Sequence, residues 1–269
     1  MSTDFLIIGG GPAGIAAAIQ AARLGLSTTI VERDRLGGQA NAAPWIENYP
    51  GFPEGITGKE LMTYFERQLK KWPVKIIFDE AKDIESYNAK CVLLAVGLTP
   101  KLAGIPGEIP YGDPDRIDHA GKDVLVIGGG DSAFDLAWSF AKKARGVTIG
   151  MRSGTPRALP KLVDRAISSR ITIKTGWRPS DASYEIIISC IGKEAKHPLI
   201  EKTKKAKGLF LAGDICHSDD RHIAIAAEDG ISAAQSACRF LNKPQRHRET
   251  EKCFNSNSIT ETQRYREKT

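Results

Sequence analysis

Two glycine clusters, together with the charged residues that follow each of them, carry the chemistry this sequence can support. Gly9, Gly11 and Gly14 make a G-x-G-x-x-G run with Pro12 and Ala13 inside it. Gly128, Gly130 and Ala133 repeat the spacing around Asp131 and Ser132, with alanine standing in for the last glycine. Such glycines let the backbone turn tightly and let a pyrophosphate reach the free N–H groups at a helix N-terminus. Past the first cluster lies Glu32, followed by Arg33. A carboxylate there can accept hydrogen bonds from an adenosine ribose hydroxyl and would repel a 2′-phosphate, which suits FAD or NAD. The corresponding place after the second cluster holds Met151, then Arg152, with Arg157 five residues on. Two guanidiniums and no carboxylate suit a 2′-phosphate, so NADP(H) is favoured over NAD(H). The alternative is that both arginines are ordinary surface charges.

These residues need a strand before each turn and a helix after it, and the chain supplies both twice. Laid over itself with an offset of 119 residues, the segment 4–14 falls on 123–133. The match runs without a gap to Thr29-Ile30-Val31-Glu32-Arg33 over Thr148-Ile149-Gly150-Met151-Arg152. Each copy opens on a short apolar run of the kind buried on both faces of a parallel sheet. An alanine-rich segment follows, 15–19 in one copy and 137–141 in the other, which can lie close to a sheet as a helix. A lone glycine motif says little, but strand, turn, helix and strand at one fixed interval is the pattern of a repeated dinucleotide-binding unit.

Composition narrows the setting. The chain of 269 residues is 41% hydrophobic and 26% charged, in the range of globular proteins. Its apolar runs, 5–8, 124–127 and 186–188, are far shorter than the roughly 20 residues of a bilayer span, and no signal-peptide pattern is present. A cytoplasmic protein without membrane or nucleic-acid partners is expected. About half of the net charge of +6 lies in 243–269, where seven Lys/Arg face four Glu. The five cysteines, Cys91, Cys190, Cys216, Cys238 and Cys253, show no C-x-x-C and no metal-like spacing, so reduced thiols and no metal are expected.

With these motifs in place the chain resembles the thioredoxin reductase family of low-molecular-weight flavoproteins, up to about Asn242. Its first strand and turn look like that family's FAD site. Leu36-Gly37-Gly38-Gln39 and Ile46-Glu47-Asn48-Tyr49-Pro50-Gly51 look like the flavin-contacting loops, which implies Gly38, Gln39 and Asn48 against the cofactor. Ala95-Val96-Gly97 stands where the family usually has Ala-Thr-Gly. The run 208–214 resembles the strand ending in a Gly-Asp pair, here Gly213-Asp214, whose aspartate holds the ribityl chain. Arg221, His222 and Ile223 resemble the start of a helix aimed at the flavin pyrimidine edge, with histidine where glutamine is common. Residues 128–133 with Arg152 and Arg157 resemble the NADPH site. The resemblance implies an α/β protein of two Rossmann-like domains, the NAD(P) type inserted into the FAD type. FAD would be held by 1–101 and 207–242, the nicotinamide dinucleotide by 102–206, and 243–269 would be a polar tail. The stretches 97–121 and 192–207 would be the hinge crossings, and the family's habit is a homodimer.

The departures bear on function. No cysteine occurs from 92 to 189, where the family carries its redox-active C-x-x-C, and without a dithiol the usual route to thioredoxin is closed. Hydride passed from NADPH to flavin would then go to another acceptor: a ferredoxin or flavodoxin, which a basic protein suits, oxygen, or a small electrophile such as a quinone. Hydride transfer needs no side-chain acid, so no catalytic residue is assigned. Two alternatives remain, a disulfide reductase working through Cys216 or a partner's thiols, and a non-catalytic dinucleotide sensor. The links after helix 59–71 and from 170 to 190 are too spare for the family's three-stranded meanders. In the tail, disorder is expected, or else Tyr265, Phe254 or His247 covers the flavin as in related ferredoxin–NADP reductases.

Overall fold

In the computed structural model, residues 3–178, 183–203, 207–217 and 220–242 are described. The tail 243–269, with its candidate flavin-covering residues, lies outside them. The first copy of the repeat folds as β1 (Thr3–Ile8), α1 (Pro12–Arg23) and β2 (Thr28–Glu32), followed by α2 (Gly58–Leu69), β3 (Val74–Phe78) and β4 (Ala89–Leu94). Thr57 and Glu60 start α2 with a capping box, each side chain satisfying the other's backbone N–H. Two short strands, β5 (Thr99–Pro100) and β6 (Ile109–Pro110), lead to the second copy: β7 (Asp123–Ile127), α3 (Asp131–Phe140) and β8 (Gly146–Met151). Then come α4 (Pro160–Ser168), β9 (Thr172–Thr175), β10 (Ile186–Ser189), β11 (Lys193–Glu194), α5 (Pro198–Thr203), β12 (Leu209–Leu211) and α6 (Ile223–Asn242).

The strands form two parallel five-stranded sheets, ordered β12-β4-β1-β2-β3 and β6-β10-β7-β8-β9. In both, the strand carrying the glycine turn is central and the order reverses beside it, the place where α/β sheets open a crevice for ligands. Register is preserved as well as order. Phe5 faces Thr28 in one sheet and Val124 faces Val147 in the other, the same offset at every paired position up to Ile8–Val31 and Ile127–Gly150. Near-continuous apolar runs allow both faces of each sheet to be covered. Phe5, Ile7, Ile15 and Leu93 are fully buried in one core, and Val126, Leu136, Phe140 and Ile188 in the other.

The late strand β12 pairs with β4 and so returns the chain to the first sheet. A two-stranded antiparallel strap, β5 against β11, joins the two halves. Before β12, Leu199 and Ile200 of α5 already pack with Leu6, Val31 and Leu94 of the first sheet. Between β3 and β4 there is one short helical turn, Glu85–Tyr87, and no strand. None of the helices among the described residues is long and apolar enough to cross a membrane.

Candidate functional site

The first glycine turn is shaped by backbone crowding. Gly9 has φ 104°, and a Cβ there would lie 2.4 Å from the Ala95 carbonyl oxygen, while one on Gly14 would lie 1.9 Å from Gly9 O. Gly11 faces open space at the N-terminus of α1, which no side chain caps. The loop after β2 lies over this turn: Gly37 N–H donates to Gly10 O at 2.7 Å, and a Cβ on Gly38 would come 3.3 Å from Gly11 Cα. Glu32 is buried at the end of β2. One of its carboxylate oxygens accepts from Gly10 N–H at 2.7 Å and the other from Asp34 N–H at 2.9 Å. Each oxygen keeps a lone pair for a further donor, and the side chain is held in place to offer it. Arg33, next in line, is exposed.

Beyond this end the other expected contacts converge from distant segments. Gln39 Nε2 donates to Leu98 O at 2.5 Å, beside Gly97 with φ 63°, while Gln39 Oε1 is buried and without a hydrogen-bond partner. A buried orphan acceptor is costly, so it points to a missing donor. Asn48 Nδ2 and His222 Nδ1 lie 3.2 Å apart, 174 residues apart in sequence. Gly213 has φ 81°, and its N–H donates to Asp229 of α6 at 2.9 Å, the same carboxylate oxygen that meets His217 Nε2 at 2.8 Å. That leaves the Asp214 carboxylate with no hydrogen bond or ion pair among the described residues. Arg221 is exposed and Ile223 half-buried at the start of α6.

The second turn repeats the first. A Cβ on Gly128 would lie 2.4 Å from the Cys190 carbonyl, the counterpart of Gly9 against Ala95, and Gly130 again faces open space. Ala133 is buried beneath the start of α3, and no side chain caps this helix. Met151 is buried, its sulfur side packing where a Cβ on Gly129 would be, so no carboxylate reaches the turn from β8. The loop after β8 is stitched back instead: Arg157 and Ala158 N–H donate to Gly129 O at 2.7 and 3.0 Å. Arg152 and Arg157 are exposed, and among the described residues neither guanidinium has a partner. Asp131 differs from expectation, since its carboxylate accepts from Leu159 N–H at 2.9 Å and so serves the loop that carries Arg157. Ser132 is exposed beside it.

Both turns therefore fit a dinucleotide: open backbone at two uncapped helix starts, a fixed carboxylate at one and two unpaired arginines at the other. No group of three His, Cys, Asp or Glu among the described residues could hold a metal ion.

Charged pairs join the two halves across the space between the turns. Arg35 pairs with Asp113 and Arg116 with Asp34 at 2.5 Å. Lys59 meets Asp115 at 3.2 Å, and Glu47 receives Lys161 at 2.6 Å and Arg165 at 3.5 Å. The Lys161 hydrogen bond holds the Glu47 carboxyl below the ordinary carboxylate range. Arg165 also lies 3.8 Å from Asp135 of α3. Asp135 Oδ1 is buried without a hydrogen bond, and burial pushes its carboxyl up to about 6.

Among the described residues the cysteines Cys91, Cys190, Cys216 and Cys238 are all free. Burial pushes the Cys91 thiol up to about 11 and that of Cys190 to about 12. Cys216, beside Asp214 as expected, is also pushed up to about 11 by loss of solvent, with Asp229 adding to it. None of these three thiols is an activated thiolate.

Residues that the sequence patterns missed include Glu47, Asp135, Lys193, Asp229 and Gly230. Glycine inside the helical run of α6 is the one signal that marked its place in advance. A Cβ on Gly230 would lie 2.1 Å from Ala13 O, so α6 touches the first turn itself.

Comparison with known proteins accords with this layout. A family profile described as pyridine nucleotide-disulphide oxidoreductase matches residues 3–175. A thioredoxin reductase of Mycolicibacterium smegmatis is 34% identical over 299 residues, covering 88% of this chain and 96% of that protein. The thioredoxin reductase of Bacillus subtilis (strain 168) is 29% identical over 307 residues, covering 90% and 96%. The solved structure of Lactococcus lactis thioredoxin reductase in its FR conformation superposes with a TM-score of 0.76 at 25% identity, over 89% of this chain and 99% of that one.

Proposed function

The chain belongs to the pyridine nucleotide-disulphide oxidoreductase family, among the thioredoxin reductases, and from that premise we propose an FAD-dependent NADP(H) oxidoreductase whose electrons leave for an acceptor other than an internal dithiol. The observation that carries this reading is the contrast between the turns: a buried, oriented Glu32 behind one and the unpaired Arg152 and Arg157 behind the other. FAD, when bound, supplies hydride acceptance and two-electron storage. The protein's own residues do the rest. Gly9, Gly11, Pro12, Ala13 and Gly14 with the start of α1 bind pyrophosphate, Glu32 takes the ribose hydroxyls, and Asp214 the ribityl chain. Gly38, Gln39, Asn48 and Gly97 line the ring, and the helix start at Arg221 to Ile223 places positive potential at its pyrimidine edge. Gly128, Gly130 and the start of α3 bind the second pyrophosphate, with Arg152 and Arg157 on a 2′-phosphate. FAD would be held by 1–101 and 207–242, with α5 packed beside them, and NADP(H) by the rest of the insert.

A ferredoxin, a flavodoxin or a small electrophile is the acceptor in this reading, in a cytoplasmic homodimer. The test is anaerobic mixing with NADPH and, separately, NADH, following flavin absorbance. Bleaching by NADPH well ahead of NADH is expected; absence of a flavin band would overturn the reading, and equal bleaching would remove the role of the arginines.

Disulfide reduction is the second reading, favoured by the homologues. Cys216, two residues past Asp214, is exposed and has no cysteine partner among the described residues, and its thiol is raised to about 11. Cys216→Ser separates the two: disulfide-reducing turnover abolished by the substitution would establish this reading.

A further inference from the structure

Lys193 is a charged group that the function above does not use. It sits on the strap between the halves, paired with Pro100 across β11 and β5. The strap begins just past Leu98, whose carbonyl holds Gln39. The ammonium stands 4.2 Å above the ring of Tyr111, half-buried, and no carboxylate pairs with it among the described residues. Burial pushes it below the ordinary lysine range, Asp214 draws it back up, and Arg221 lowers it further. By position, Lys193 lies on the strand paired with Pro100, two residues past the Leu98 carbonyl that holds the ring-lining Gln39.

We propose that Lys193 is the electrostatic counterpart of the reduced flavin, its ammonium placed to stabilise the negative charge that gathers on the isoalloxazine ring with the electrons. The inference rests on the FAD reading of the first site. A cation half out of water without a counter-ion is costly, and an aromatic face compensates only part of that cost. A protein carboxylate at ion-pair distance would neutralise it in every redox state and remove its power to discriminate. Left unpaired, it acts chiefly where negative charge develops, which is how preorganised charge favours one state over another. Apart from Asp214, which is not within ion-pair distance, the ionisable groups around it add no anion. Burial holds the Cys190 thiol up at about 12 and raises the Tyr111 phenol well above its ordinary value, so both are neutral.

The experiment equilibrates the purified, flavin-loaded protein anaerobically with a reference dye and measures the equilibrium constant for two-electron reduction of the bound flavin. Lys193→Met is expected to lower that constant about tenfold or more, and Lys193→Arg to keep it within about threefold, as loss or retention of one nearby charge requires. An unchanged constant in the methionine variant with flavin bound would overturn the role of Lys193 and leave the FAD reading standing. A wild-type protein that holds no flavin would overturn both. Should the methionine variant release its flavin, Lys193→Gln makes the same comparison. Release from both, with the arginine variant keeping it, would overturn the redox-selective role in favour of simple binding of oxidised FAD.

Discussion

Replacing Gly230 by alanine tests whether the crossing of α1 and α6 is what sets the first cofactor turn. The new Cβ would lie 2.1 Å from Ala13 O, 2.9 Å from Ala13 C and 3.0 Å from Ala17 N, all backbone atoms. An unstrained carbon–oxygen contact is about 3.2 Å or more, so the helices must part by about 1 Å, against a packed interior that resists it. Overpacking costs about 1–3 kcal/mol, and an overlap this deep on unyielding backbone atoms falls in the upper part of that range, about 2–3 kcal/mol. Alanine regains at most about 1 kcal/mol of helix propensity over glycine, so the net effect is destabilising by roughly 1–2 kcal/mol. For a domain of this size that lowers the melting temperature by about 2–8 °C. The larger effect falls on the cofactor. Ala13 lies in the first turn of α1, and a Cβ on Gly213 would already sit 3.0 Å from Ala13 Cβ, so the start of α1 and the Asp214 turn both pack on this one residue. A displacement near 1 Å there is expected to weaken FAD binding by about tenfold or more. Fluorescence titration of apoprotein with FAD measures this, with thermal melts in excess FAD beside it. Gly154→Ala is the control, since that glycine has no neighbour within 4 Å. A Gly230→Ala protein that melts at or above the wild-type temperature and binds FAD equally well would refute the argument.

Other outcomes follow from the same geometry. Asp135 has its carboxyl raised to about 6 from an ordinary 3.8, so between those values the native state binds more protons and stability falls as pH rises through that window. Asp135→Asn should therefore recover up to about 3 kcal/mol above pH 6, and parallel stability–pH curves for the two proteins in urea titrations would contradict it. Arg152→Ala with Arg157→Ala should raise KM for NADPH roughly tenfold or more while leaving NADH within about twofold; equal effects on both would show the arginines to be ordinary surface charges. The exposed pairs between the halves contribute about 0–1 kcal/mol each and are screened by salt. Small-angle scattering should accordingly show a larger radius of gyration at high ionic strength, most of all in Glu47→Gln, and no change would mean that apolar contacts hold the halves.

The parts of this protein that were legible in its sequence are those whose determinants lie close together along the chain. Turn, helix and next strand follow one another within about thirty residues, and the two copies go on to share one pairing register, Phe5 on Thr28 and Val124 on Val147. Asn48 and His222, 174 residues apart, were singled out only through the family resemblance, because they carry no local sign of each other. What stayed hidden are contacts whose two halves each look ordinary alone: Glu47 with Lys161 and Arg165, Asp229 under Gly213, Lys193 over Tyr111. Asp131 shows how a local pattern leaves a side chain's partner open. It occupies the expected helix start, where a carboxylate would oppose a phosphate, and only the fold shows that Leu159 N–H holds it. That bond steadies the loop carrying Arg157, so the acid serves the anion site by positioning the loop of a cation. Removing it should therefore weaken NADPH binding, although charge alone would predict the reverse, and a tighter KM in Asp131→Ala would show that repulsion prevails over support.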